Sequence, residues 1–114
     1  MTTLHVLREG EELRALTVSG HAGYAKRGED IVCAAASVLI TTCANALETV
    51  AGVKPRVERE ARSAMIRVEL PGDLDQNAHH DAQVILKTAL QGFEDLSSEY
   101  PNYFTIIDGR TSRC

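Results

Sequence analysis

The run 31–47, IVCAAASVLITTCANAL, contains no charged residue and constrains this chain's fold more than any other stretch. Its pattern predicts a helix from Ile31 to about Ala51, with Gly52 as the stop. A membrane span needs about 20 predominantly apolar residues. This run is shorter and carries Ser37, Thr41, Thr42 and Asn45. A buried helix is the better reading, and no membrane partner is expected. Ala34, Ala35, Ala36, Ala44 and Ala46 allow close approach by a sheet or another helix. One sheet face cannot cover a helix that is apolar nearly all round. The remainder is expected to face a second helix or a partner subunit, which predicts a homodimer.

Around this helix the chain supplies material for a sheet. Leu4, Val6, Leu13, Leu16 and Val18 alternate about the turn Gly10-Glu11-Glu12, predicting strands over 2–8 and 13–19. A second pair is expected over 53–60 and 63–69, turning at Ala61-Arg62 and ending at Pro71-Gly72. Ile85, Leu86, Ala89, Leu90, Phe93 and Leu96 recur at helical spacing, giving a helix over 78–100 that Pro101 closes. Residues 103–108 form a last strand, and the tail GRTSRC is expected to be loose. The order ββαββαβ predicts an α+β two-layer sandwich, with two helices on a mostly antiparallel sheet. At 114 residues, positions 1–114 are expected to form one domain.

Charge and aromatic content narrow the function. Lys and Arg number 12 against 16 Asp and Glu, a net charge of −4, so there is no electrostatic footprint for nucleic acid. Two Phe, three Tyr and no Trp leave little for base stacking. Three cysteines, Cys33, Cys43 and Cys114, cannot all pair within one chain, and no CxxC is present. The amino-terminal sequence has neither the basic segment nor the apolar run of a signal peptide. A reducing cytoplasm is the expected compartment, where an isolated thiol is core filler or chemistry.

Cys33 is the candidate for chemistry. With Asp30 as N-cap it falls at the third helical position, where the cap carboxylate accepts its N–H. The positive helix end favours thiolate, whereas the charge on Asp30 opposes it. The backbone amides of Cys33 and Ala34 are candidates for holding an oxyanion. The alternative is a small apolar residue filling the core. His21 supplies the missing partner of a thiol–imidazole pair, acting as base toward the thiol and acid toward a leaving amine. It stands in an 11-residue segment, 20–30, in which Gly20, Gly23 and Gly28 allow wide bending.

Other candidates are weaker. His79-His80-Asp81 resembles a metal cluster in composition, but adjacent helical side chains diverge by about 100°, so a solvated helix start is expected and no metal or cofactor is assigned. Cys43 lies about 15 Å along the helix from Cys33, too far for a disulfide, and is read as core. Cys114 is read as an inert exposed thiol. GHAGYAKRG lacks P-loop spacing.

The stretch 20–37, GHAGYAKRGEDIVCAAAS, resembles the signature of the ribosomal-processing cysteine protease family, Prp: GHA followed by G-x-DIVCAA-x-S. Gly20, His21, Ala22, Gly28, Asp30, Ile31, Val32, Cys33, Ala34, Ala35 and Ser37 carry the match. The resemblance implies a small homodimeric endopeptidase. Its substrate is a large-subunit ribosomal protein, the twenty-seventh of the L series, from which it removes a short N-terminal extension. Cys33 is then the nucleophile and His21 its general base, with Asp30 and Ser37 in supporting positions. The loop between His21 and Cys33 is expected to move to admit the peptide. A non-catalytic ribosome-associated peptide-binding module is the alternative. A redox-sensing thiol protein is a third reading, weakened because no resolving cysteine lies near Cys33 in sequence.

Overall fold

The computed structural model of the chain describes residues 1–21, 23, 25–26 and 30–109. Gly28 and Cys114, for which a mobile loop and an exposed tail thiol were expected, lie outside the described residues.

Among those residues the elements run β1 (Thr2–Glu9), β2 (Glu12–Ser19), α1 (Ile31–Thr49), β3 (Arg56–Glu60), β4 (Met65–Glu69), α2 (Gln76–Glu99) and β5 (Phe104–Asp108). This is the ββαββαβ order read from the sequence. The strands form a sheet in the order β3-β4-β2-β1-β5. Pairings β1–β2, β2–β4 and β3–β4 are antiparallel, and β1–β5 is parallel. A parallel neighbour requires a crossover, and α2 makes it.

Thr2, Leu4 and Val6 of β1 and Leu16 and Val18 of β2 are buried beneath the helices, as strand alternation demands. α1 contributes Val32, Ala36, Ile40, Cys43, Ala44 and Leu47 to this core, and α2 contributes Ala82, Leu86, Ala89, Leu90, Phe93 and Leu96. The Phe93 and Phe104 rings stack with centroids 5.8 Å apart, joining α2 to β5. Away from the core, Arg67 pairs with Glu58 and Glu69, and Arg14 with Glu9 and Glu69. α1 is long and apolar enough to cross a membrane by length and composition. In the fold it lies on the sheet and against α2, with one face buried.

Some boundaries depart from the sequence reading. β3 begins at Arg56 rather than 53, because Pro55 has no N–H for a ladder. Val53 is instead buried, and its N–H bonds the Leu47 carbonyl at 2.7 Å, closing α1 through Gly52 at φ +67°. The β3–β4 turn spans 61–64, not Ala61-Arg62 alone, and holds Ala64 at φ +51°. α2 starts two residues early, where the Asp75 side chain accepts the Ala78 N–H at 2.8 Å.

Two close approaches escaped the sequence reading. A Cβ on Gly92 would lie 2.7 Å from Leu39 Cδ2, so this glycine lets α2 sit tightly on α1. Gln83 is buried on α2, donating to the Leu13 carbonyl at 2.7 Å and accepting the Leu13 N–H at 2.9 Å. The β1–β2 register shifts between Leu7 and Arg8, where Leu13 opposes Arg8 and Arg14 is the extra residue. At this irregularity both Leu13 backbone groups find their partners in the Gln83 amide.

Candidate active site

The amino end of α1 is built around Asp30. In extended conformation, with only 8% of its surface exposed, its Oδ1 accepts the N–H groups of Val32 and Cys33, each at 3.0 Å. This is the capping geometry expected from Asp30-Ile31-Val32-Cys33. It fixes the first turn, and with it the half-buried Cys33 side chain.

The same geometry engages both amides expected to hold an oxyanion. The Cys33 and Ala34 amides are not free: the first donates to Asp30 Oδ1 and the second to the Asp30 carbonyl at 3.0 Å. The capping carboxylate holds one amide that an oxyanion would need, and the helix backbone holds the other. Any oxyanion held there competes with Asp30 for the Cys33 N–H.

Cys33, His21, Asp30 and Ser37 line one cavity of about 500 Å³, together with Ala34 and both glycines Gly20 and Gly23. His21 and Ser37 are exposed, Ser37 one turn beyond Cys33 on α1. The rest of the lining is largely apolar and comes from the sheet and the turn before β4: Val18, Ile66 and Ala64, with Ala36 and Ile40 from α1. Among the described residues, the site positions singled out from the sequence are thus brought to one cleft.

Gly20 positions the His21 side of the cleft. It adopts φ +86°, which disfavours any residue with a Cβ, and an added Cβ would stand 2.6 Å from the Met1 carbonyl oxygen. Its N–H donates to the Ser63 carbonyl at 2.8 Å, and its own carbonyl accepts from Thr2 Oγ1 at 3.4 Å. Read from the sequence as a source of freedom, Gly20 is held between β1 and the β3–β4 turn. That turn is itself braced by Glu60, which accepts from the Ser63 N–H at 2.9 Å and the Ser63 hydroxyl at 2.6 Å. These bonds hold the Glu60 carboxyl below its usual pKa.

Thr2 also enters the site, unforeseen. It is 1% exposed, and its Oγ1 lies 4.0 Å from Cys33 Sγ. The signal was available, since Thr2 shares the inward parity of Leu4 and Val6 and so had to meet the helix layer.

The second described cysteine differs in kind. Burial pushes the Cys43 thiol up to about 12, which keeps it protonated and unreactive. His79 pairs with Glu12 at 2.5 Å on the surface. Among the described residues no group of three His, Cys, Asp or Glu side chains could hold a metal ion.

A thiol and an imidazole sharing a cleft are what a cysteine hydrolase requires, and cysteine protease is the class in which comparison with known proteins places this chain. The model of the family described as cysteine protease Prp matches residues 1–105, and the chain belongs to that family. The ribosomal processing cysteine protease Prp of Bacillus subtilis is 28% identical over 83 residues, which cover 73% of this chain and 74% of that protein. Its namesake from Staphylococcus aureus strain Mu50 is 29% identical over the same shares. In three dimensions, S. aureus Prp with a covalently linked product peptide matches at a TM-score of 0.83 and 22% identity, covering 95% of this chain and 99% of that one. A Streptococcus mutans protein matches at 0.82 and 26% identity, covering 95% and 93%. These neighbours bear out the α+β sandwich.

Proposed function

We propose that this chain is a cytoplasmic cysteine endopeptidase that removes the N-terminal extension of a large-subunit ribosomal protein, the twenty-seventh of the L series. The observation that carries the reading is the shared cleft of Cys33 and His21 at the capped head of α1. The names of the B. subtilis and S. aureus relatives support a ribosomal substrate, and the peptide-bound S. aureus structures support a peptide in the cleft. A net charge of −4 suits a basic partner.

In the proposed mechanism His21 takes the Cys33 proton, and the thiolate attacks the scissile carbonyl carbon, forming a C–S bond. The tetrahedral intermediate collapses as the C–N bond breaks, and His21 returns its proton to the departing amine. His21 then takes a proton from water, which attacks the thioester, and release of the acid restores the thiol. The positive end of α1 favours the thiolate while the Asp30 carboxylate opposes it, and an oxyanion at this end must draw the Cys33 N–H away from Asp30. Asp30 supports the site by fixing the first turn, and Ser37 lines the cleft beside the nucleophile. That His21 precedes Cys33 is immaterial, since such sites are defined by geometry.

The test uses a synthetic peptide spanning the junction between extension and mature protein, with cleavage followed by mass spectrometry. Wild type should cut at one bond, and Cys33→Ala and His21→Ala should each reduce cleavage by at least 100-fold, the scale of a lost acid–base partner. Undiminished cleavage by Cys33→Ala refutes the mechanism. Binding of the peptide without cleavage by wild type supports the peptide-binding module instead.

We further propose that the working unit is a homodimer. Ile31 and Val38 on α1 are 50% and 64% exposed, beside a shallow apolar groove that Leu39, Leu96 and Tyr100 share. A second copy of that face would cover it. A light-scattering mass equal to one chain at micromolar concentration would defeat this reading.

A further inference from the structure

Thr2 is the polar residue at the end of an otherwise apolar row. Thr2, Leu4 and Val6 point inward from β1, and the latter two pack into the core. A hydroxyl buried to 1% exposure persists only if it is satisfied. Its partners are both in the cleft: the Gly20 carbonyl at 3.4 Å, one residue before His21, and Cys33 Sγ at 4.0 Å, where either atom can be the donor. The strand itself is fixed at this point, because the Thr2 N–H donates to the Tyr103 carbonyl at 3.0 Å.

A hydroxyl has one proton and two lone pairs, and it rotates to suit its partners. While Cys33 is a thiol, the hydroxyl can donate to Gly20 and accept the S–H. Once Cys33 is a thiolate, the same hydroxyl can turn its proton to sulfur, and a bond to a charged acceptor is the stronger one. From this juxtaposition we infer that Thr2 is a positioning residue for the nucleophile, its hydroxyl holding the Cys33 thiol to the Gly20 carbonyl and turning its one proton to sulfur to stabilise the thiolate. The inference rests on the reading of Cys33 as nucleophile. Among the described residues, the titratable side chains that line the cavity around Sγ are His21, on the loop after β2, and Asp30, at the head of α1. β1 contributes Thr2, and β4 and its preceding turn contribute Ile66 and Ala64, none of them charged. Thr2 is therefore the uncharged group through which β1 acts on the sulfur.

Thr2→Val tests this, being nearly isosteric and suited to an inward strand position. The readout is the rate of Cys33 alkylation by iodoacetamide between pH 5 and 10, measured on the proteolytic peptide that contains Cys33. Loss of the hydroxyl should move the midpoint up by about half to one pH unit, slowing alkylation about three- to tenfold below the midpoint. Rates should converge above it, and Thr2→Ser should restore the wild-type profile. Peptide cleavage should show the same displacement in kcat at unchanged KM. Thr2→Ala removes the hydroxyl without branching and must give the same displaced midpoint if Thr2→Val folds poorly. A wild-type midpoint in either folded hydroxyl-free variant overturns the inference, as does a Thr2→Ser profile that matches Thr2→Val. Because alkylation needs no substrate, this failure is separable from failure of the protease reading, which is judged by cleavage in Cys33→Ala.

Discussion

Replacing Gln83 by leucine should test whether α2 is fastened to the sheet by one amide. In the fold this side chain is 4% exposed, and both its polar ends bond the backbone of Leu13. Leucine of similar size keeps the volume but abandons a buried N–H and a buried C=O. Each unsatisfied group costs about 1–3 kcal/mol, or about 2–6 kcal/mol for the pair. Burying an apolar side chain instead of an amide returns about 1–2 kcal/mol. At the middle of these ranges the net loss is about 2.5 kcal/mol, a large share of the roughly 5–15 kcal/mol that holds a domain together. Guanidinium chloride titration followed by circular dichroism measures it directly. The melting temperature should fall by about 10 °C, taking about 4 °C per kcal/mol at this size. Gln91→Leu is the control: it bonds Asp95 on the exposed face of the same helix and should change stability by less than about 0.5 kcal/mol. A Gln83→Leu variant within about 1 kcal/mol of wild type would show that Leu13 finds other partners, and the fastening role would be refuted.

Three further outcomes follow from the geometry. Asp30→Ala removes the acceptor of two amides and should cost about 2 kcal/mol, the upper end for a cap, as read from denaturant midpoints. Gly20→Ala places a Cβ 2.6 Å from the Met1 carbonyl oxygen at φ +86°. It should destabilise by at least about 1–2 kcal/mol and lower peptide cleavage, and wild-type values for both would contradict Gly20's role as a fixed post. Cys43 should resist iodoacetamide in the folded chain at pH 8 and react fully in guanidinium chloride. Its folded value of about 12 exceeds the ordinary 9.0, so the folded chain holds the extra proton between those values. The stability this confers is complete below about pH 9 and is lost as pH rises toward 12; denaturant midpoints of Cys43→Ala should show a weaker decline over that window.

The elements were legible because their signals are local. Alternation in Leu4, Val6, Leu16 and Val18 placed the central strands, and Asp30 announced the start of α1 by its capping chemistry alone. Cys33 and His21 were legible as a pair through the GHA and G-x-DIVCAA-x-S resemblance, since position alone left Cys33 equally readable as core, and both line one cavity. What escaped depends on contacts distant in sequence. Gln83 reads as one more polar helix residue until the β1–β2 irregularity turns Leu13 toward it. Gly92 has no signature apart from Leu39 across the helix pair. The engaged amides show a different shortfall, since the cap that was correctly inferred already consumes the Cys33 N–H proposed for an oxyanion.

The parallel pairing of β1 with β5 has a consequence for the order in which the site can assemble. Thr2 faces Phe104, and Arg8 clasps Asp108 at 2.9 Å across a separation of 100 residues. The described residues that line the cleft all fall between positions 2 and 66. Yet the strand that brings Thr2 beneath Cys33 gains its outer neighbour only when β5 docks, near the carboxyl end. Contacts this remote are slow to form, because a long loop must close before they return any stabilisation. A newly made chain can therefore possess all of these residues while the floor of its cleft is still open at the edge, and competence should arrive with the last strand.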